Sequence, residues 1–121
     1  MLYYPSEISI ADNSMRYSVY STGEVFKAVD DEFENPYRDL FRKHILDSII
    51  IEEPCIVGIS VTATSQVIPA FTMARLLKEK YQNIHITMGG SVFTKLIDNL
   101  QENHKLFELV DSFIVFEGEH A

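Results

Sequence analysis

At 121 residues the chain is long enough for one domain with its own core and too short for two ordinary ones. Hydrophobic residues make up 46% and charged residues 23%, which excludes intrinsic disorder, and no apolar run approaches the roughly 20 residues of a membrane helix. Ten Lys+Arg against 18 Asp+Glu leave a net charge of −8, a field that repels phosphate backbones and argues against nucleic acid and membrane surfaces as partners.

The first twelve residues carry no basic segment followed by an apolar one, so no secretory signal is visible and the cytoplasm is the expected location. Glu7 to Asp12, with Ile8 and Ile10 alternating with polar residues, predicts an edge-type strand. Ser21 with Glu24 three residues on forms a capping-box pattern for a short helix over Val25, Phe26 and Val29. The acidic run Asp30-Asp31-Glu32-Glu34 reads as a solvated turn. Asn35-Pro36 then starts a helix whose stripe Tyr37, Leu40, Phe41, Ile45 and Ile49 runs to about Glu52. Pro54 stops it. Cys55 to Val61 is apolar on both parities, which predicts a strand buried on both faces of a parallel sheet and a buried, structural Cys55. As the one cysteine of the chain, it excludes an internal disulfide and suits a reducing compartment.

Thr62 to Ser65 is small and polar and leads into a helix from Gln66 to Tyr81, with Pro69 tolerable in its first turn and Lys78 and Lys80 at its negative end. Ile84 to Met88 is the next strand and Gly89-Gly90 a tight turn. Thr94 to Val110 is helical in two pieces, the second capped by Asn103, and Phe113 to Phe116 is a third strand. Strand, helix, strand, helix, strand predicts right-handed βαβ units in a single domain, residues 1–121.

Open parallel sheets bind ligands beyond the C-terminal ends of their strands. Here those ends are Ser60-Val61-Thr62-Ala63-Thr64-Ser65-Gln66, Gly89-Gly90-Ser91 and Glu117-Gly118-Glu119. The first offers hydroxyls and helix N–H groups, the second glycines where a backbone must come close to something. Equally, the hydroxyls cap a helix and the glycines only turn the chain. Other constellations are weak. His44, His85, His104 and His120 have no metal-ligand spacing, and no Gly-x-Ser-x-Gly, Walker or Gly-x-Gly-x-x-Gly motif occurs.

Taken together, Glu53-Pro54-Cys55-Ile56-Val57-Gly58-Ile59-Ser60-Val61-Thr62, the Ala74-Arg75-Leu76-Leu77-Lys78 helix, Ile86-Thr87-Met88-Gly89-Gly90 and Phe113 to Glu119 resemble the cobalamin-binding domain that precedes the catalytic core of cobalamin-dependent radical SAM proteins. Such domains carry a Ser-x-Leu type motif and a Gly-Gly pair one crossover apart; Ser60-Val61-Thr62 and Gly89-Gly90 stand apart by residues 63–88. The resemblance covers about residues 53–121, and Ile8 to Tyr17 is more loosely similar to the family's second strand and the segment after it.

The resemblance implies a flavodoxin- or Rossmann-like three-layer αβα domain with a mostly parallel sheet, lacking the family's first strand. It implies cobalamin as cofactor and a radical SAM domain of the same parent chain as partner. Ser60, Thr62 and Thr64 would face the nucleotide tail, with Val61, Ala63, Gln66 and Ser91 beside them. Gly89 and Gly90 would let the tail approach the backbone, so bulk at Gly90 is expected to occupy ligand space. Glu117 and Gly118 would line the far side.

Two departures stand out. No Asp-x-His-x-x-Gly occurs, so no histidine is expected on cobalt, and the single cysteine cannot supply the Cys-x-x-x-Cys-x-x-Cys site of a [4Fe–4S] cluster. The cluster, S-adenosylmethionine and the methyl transfer or related radical chemistry are accordingly expected in a domain outside this chain, which reads as a fragment without a catalytic residue of its own. Two other readings fit the same residues: a cofactor-free α/β interaction or regulatory domain, and a flavin or nucleotide binder using the same rim. With the family's first, central strand missing, Cys55–Val61 would be left with an unpaired edge, and a self-associated form is expected.

Overall fold

The computed structural model describes residues 17–18, 22–95 and 104–116, together with the backbone of 7–8 and 13–14. β1 (Glu7–Ile8) and β2 (Asn13–Ser14) pair antiparallel in a sheet of their own, so the strand expected over Glu7–Asp12 does not join the main sheet through Glu7–Ile8; residues 9–12 lie outside those described. The elements that follow are α1 (Thr22–Asp30), α2 (Pro36–His44), α3 (Leu46–Ile50), β3 (Ile56–Ser60), α4 (Val67–Lys80), β4 (His85–Gly89), α5 (Ser91–Lys95) and β5 (Ser112–Ile114). Short 3₁₀ turns at Thr64–Gln66 and His104–Glu108 precede α4 and β5.

β3, β4 and β5 form a parallel sheet in that order, in register Ile56↔His85 through Ser60↔Gly89 and Thr87↔Ser112 through Gly89↔Ile114. The chain is a small α/β domain. Two right-handed crossovers advancing in one direction put their helices on the same face of a sheet. Phe113 of β5 accordingly meets Phe71 of α4, Phe93 of α5 and Phe107 of the 3₁₀ turn at ring-centroid distances of 6.5, 5.1 and 5.3 Å. Val57, Ile59, Ile86 and Met88 share that covered face by register. Ile56, Gly58 and Ser60, with His85, Thr87, Gly89, Ser112 and Ile114, lie on the opposite one.

That second face corrects the expectation for β3. Instead of being buried on both faces, β3 alternates, and Ile56 is 64% exposed while Gly58 and Ser60 are also exposed. Cys55, expected to be buried, is exposed. Within β3, parity and not apolarity decides which side chains meet α4, whereas Cys55 lies ahead of the strand.

α4 is buried nearly all round because it lies between the sheet and α1 and α2. Pro69 sits in its first turn, and the Tyr81 N–H closes its end on Leu77 O at 2.8 Å. α1 buries Val25, Phe26 and Val29 as the pattern predicts; its proposed cap Ser21 lies outside the described residues. Asn35 caps α2, accepting from Tyr37 N at 3.1 Å, and its Nδ2 donates to Ala28 O and Thr72 Oγ1, both at 2.9 Å. One buried amide thus ties α1, α2 and α4 together.

The expected continuous helix to Glu52 is instead broken at Ile45 (φ −123°), and Leu40 and Ile45 of its apolar stripe are exposed. α2 docks through a cation. Buried Arg38 donates to Val29 O at 2.6 Å and to Glu32 at 2.8 Å, with Glu79 of α4 at 3.8 Å. Arg42 binds Glu32 as well, and the two guanidiniums, Arg42 first, hold the Glu32 carboxyl below the usual range.

Toward the C-terminus α5 begins at Ser91, ahead of the expected Thr94. Residues 96–103, with Asn103, lie outside the described region. Leu106 and Val110 are buried, and no helix among the described residues is long and apolar enough to cross a membrane.

Candidate functional site at the C-terminal rim of the sheet

Because β3 and β4 are parallel and in register, Ser60–Gln66 and Gly89–Ser91 emerge side by side, as expected of consecutive strand ends in a parallel sheet. Val61 continues the ladder, its N–H donating to Gly89 O at 2.7 Å, and its side chain is fully buried, so this residue belongs to the core. Ser60, Thr62, Ala63, Thr64 and Gln66 are exposed. Ser91 Oγ donates to Thr62 O at 3.2 Å and joins the two loops.

The loop donors turn inward. Gln66 Oε1 accepts from Thr62 N at 2.9 Å, from Ala63 N at 3.3 Å and from Thr62 Oγ1 at 3.3 Å, while Gln66 N donates back to Ala63 O at 3.0 Å. A side chain one turn ahead thus satisfies N–H groups that the sequence offers to a ligand. Gly90 has a structural reason as well. Its φ is +118°, and a Cβ there would lie 2.1 Å from Val61 O and 2.8 Å from Val61 N. The space beside it is filled by the neighbouring strand end, which corrects the expectation that bulk at Gly90 would occupy ligand space.

Among the described residues no element covers the second face, and there is room on it. A Cβ at Gly58 would meet only Thr87 Cγ2, at 3.8 Å, while one at Gly89 would press on Ile114 O at 3.2 Å. Gly58, Ser60 and Gly89 therefore make a floor of small residues leading to the rim. Thr87 Oγ1, beside Gly58, is buried without a hydrogen-bond partner. Thr87 is not singled out from the sequence; its parity with Gly89 in β4 is the signal that would have found it. Glu117 and Gly118 lie outside the described residues; Phe116 just before them is held by Thr94, whose Oγ1 accepts from its N–H at 2.9 Å.

Charge and chemistry lie elsewhere. At the far end of the open face His85 Nε2 and Ser112 Oγ are 3.0 Å apart. Asp111 Oδ2 accepts from Lys78 Nζ at 2.6 Å and from Ile86 N at 2.7 Å. Burial pushes the Asp111 pKa up, but the Ile86 N–H and the Lys78 ammonium outweigh it, leaving the carboxyl below its usual range. Two surface depressions also lie away from the rim, one lined by Ile50, Pro54 and Tyr81, the other by Arg42, Leu46 and Glu79. Among the described residues no cluster of His, Cys, Asp and Glu is arranged to hold a metal ion. No protein-family model, curated protein or solved structure matches the chain.

Proposed function

We propose that the chain is a corrinoid-binding module, with the nucleotide tail of the cofactor lying over the open face of β3 and β4 at the rim. In the same proposal the domain is of the flavodoxin-like type, although helices cover one face of its sheet only among the described residues, and it serves a radical SAM catalytic domain. The reading rests on the family resemblance of residues 53–121 and on one observation. Ser60 and Gly89, taken from the two separate motifs, are register partners on that face, beside an exposed Gly58 where a Cβ would meet only Thr87 Cγ2 at 3.8 Å. The fit is of shape: small side chains leave a floor on which a flat or extended group can lie against backbone.

Ser60, Thr62 and Thr64 would hold the tail through hydroxyls, and Thr87 Oγ1, lacking a partner, is a further hydrogen-bonding group on that face. Gln66 must release Thr62 N and Ala63 N if these are to take part. A bound corrinoid supplies alkyl-transfer or radical chemistry at cobalt, and the role of this chain's residues is to bind and orient it.

The test is to mix the protein with hydroxocobalamin, pass it through a desalting column and record the visible spectrum. Corrinoid absorption co-eluting near one equivalent is expected, and Ser60→Trp, which fills the floor from an exposed position, should lose it. Elution of colourless protein contradicts the proposal. That outcome favours the second reading, a cofactor-free interaction or regulatory module, which is supported by the closure of the rim donors on Gln66.

A further inference from the structure

The edge of β3 away from β4 has no strand on it among the described residues. Cys55 O accepts from His85 N, and Val61 N donates to Gly89 O, so the odd-numbered residues of this stretch face β4. In a parallel ladder the intervening residues turn both backbone groups the other way. The N–H and C=O of Ile56, Gly58 and Ser60 therefore point outward together. An apolar edge of this kind is a template for pairing unless charge, proline or a bulge blunts it. Pro54 ends the edge on one side, but from Cys55 to Ala63 there is neither a charge nor a proline, and Ile56 stands 64% exposed. The other described strands, β1 and β2, are already paired with each other and are two residues long each.

We propose that this edge pairs with a second copy of the chain, antiparallel and centred on Gly58, to make one continuous sheet. The outward groups set the register, because an antiparallel partner must meet Ile56, Gly58 and Ser60 with residues that also point outward. Two-fold pairing then sets Gly58 against Gly58 and Ile56 against Ser60, each an exchange of two hydrogen bonds. The seam itself sets no charge against this occupant. In this register Glu53 lies opposite Ala63, so the net charge of −8 brings no like charges face to face across the seam. Gly58 leaves the seam clear, and edge pairing leaves the faces of the sheet as they are, so it is independent of the corrinoid reading.

The experiment is light scattering on a dilution series of the full chain, with three variants. Wild type is expected to move from twice 13.9 kDa toward 13.9 kDa on dilution. Gly58→Asp sets two carboxylates opposite each other and should be monomeric, with unchanged far-UV circular dichroism. Mixing it with Gly58→Lys should restore the dimer. In a Cys55→Ser background, Gly58→Cys should be joined by a short bifunctional thiol cross-linker, since such pairs lie about 5.5 Å apart between α-carbons. Wild type should not be joined, because Cys55 falls opposite position 61, about 20 Å from the other copy's Cys55 at ~3.4 Å per residue. A monomer at every concentration overturns the proposal. A dimer in which Gly58→Cys fails to cross-link, or one joined through Cys55, overturns it as well.

Discussion

Replacing Gly90 by alanine changes one hydrogen for a methyl group at the point where the turn after β4 rests on the end of β3. Two costs combine. An L-residue held at φ +118° meets a strain of about 1–2 kcal/mol. The added Cβ, 2.1 Å from Val61 O, forces a backbone shift of about 1–3 kcal/mol, since Val61 is fully buried and its N–H is committed to Gly89. The sum, about 2–5 kcal/mol, is a large part of the roughly 5–15 kcal/mol that such a domain has. Urea unfolding followed by circular dichroism should show the midpoint falling by on the order of 1–2 M. The other glycines serve as internal controls. Gly89→Ala, with Ile114 O at 3.2 Å, should lose less, and Gly58→Ala, whose Cβ would only touch Thr87 Cγ2 at 3.8 Å, should be neutral or gain up to about 1 kcal/mol. A Gly90→Ala midpoint equal to that of wild type would refute the packing of this turn on Val61.

Asp111→Asn should lower stability by about 1–3 kcal/mol at neutral pH, since a charge-assisted contact to Lys78 is lost. The folded pKa of Asp111 is below its unfolded value, so its stabilisation is complete above the ordinary value of 3.8 and is lost as pH falls through the lowered one. Urea midpoints from pH 6 down to pH 2.5 should accordingly converge for wild type and variant, and parallel curves would contradict this. Asn35→Ala removes the cap of α2 and leaves Thr72 and Ala28 O with a lost partner, for about 2 kcal/mol by the same assay. Gln66→Ala frees Thr62 N and Ala63 N into solvent and should cost about 1 kcal/mol, with amide exchange at those two residues becoming fast.

The βαβ half was legible because its signals are local. Alternating strand and helix lengths and the Pro69 position each constrain a few neighbouring residues, as the Asn35-Pro36 cap does outside that half, and the elements lie close to where these put them. What sequence could not carry was the layer count on each face. Cys55 to Val61 is apolar throughout, yet Ile56 is exposed because its parity turns it away from the face on which α4 and α5 pack, and Cys55 is exposed just ahead of the strand. Periodicity also misassigned α2, whose apolar stripe is less buried than Arg38; a cation that donates to Val29 O and pairs with Glu32 leaves no hydropathy signal. At the rim, the parallel βαβ reading set the ends of the two strands, Ser60 and Gly89, side by side. It did not reveal that Gln66 satisfies the loop donors or that Val61 fills the space beside Gly90.

The claim that the rim and open face receive a corrinoid is tested most directly by following backbone amide resonances during titration with hydroxocobalamin. The account predicts saturable shifts at Gly58, Ser60, Thr87 and Gly89, with the far end of the same strands, His85 and Ser112, unmoved. No shift at a several-fold excess of corrinoid, or shifts confined to residues away from β3 and β4, would contradict it.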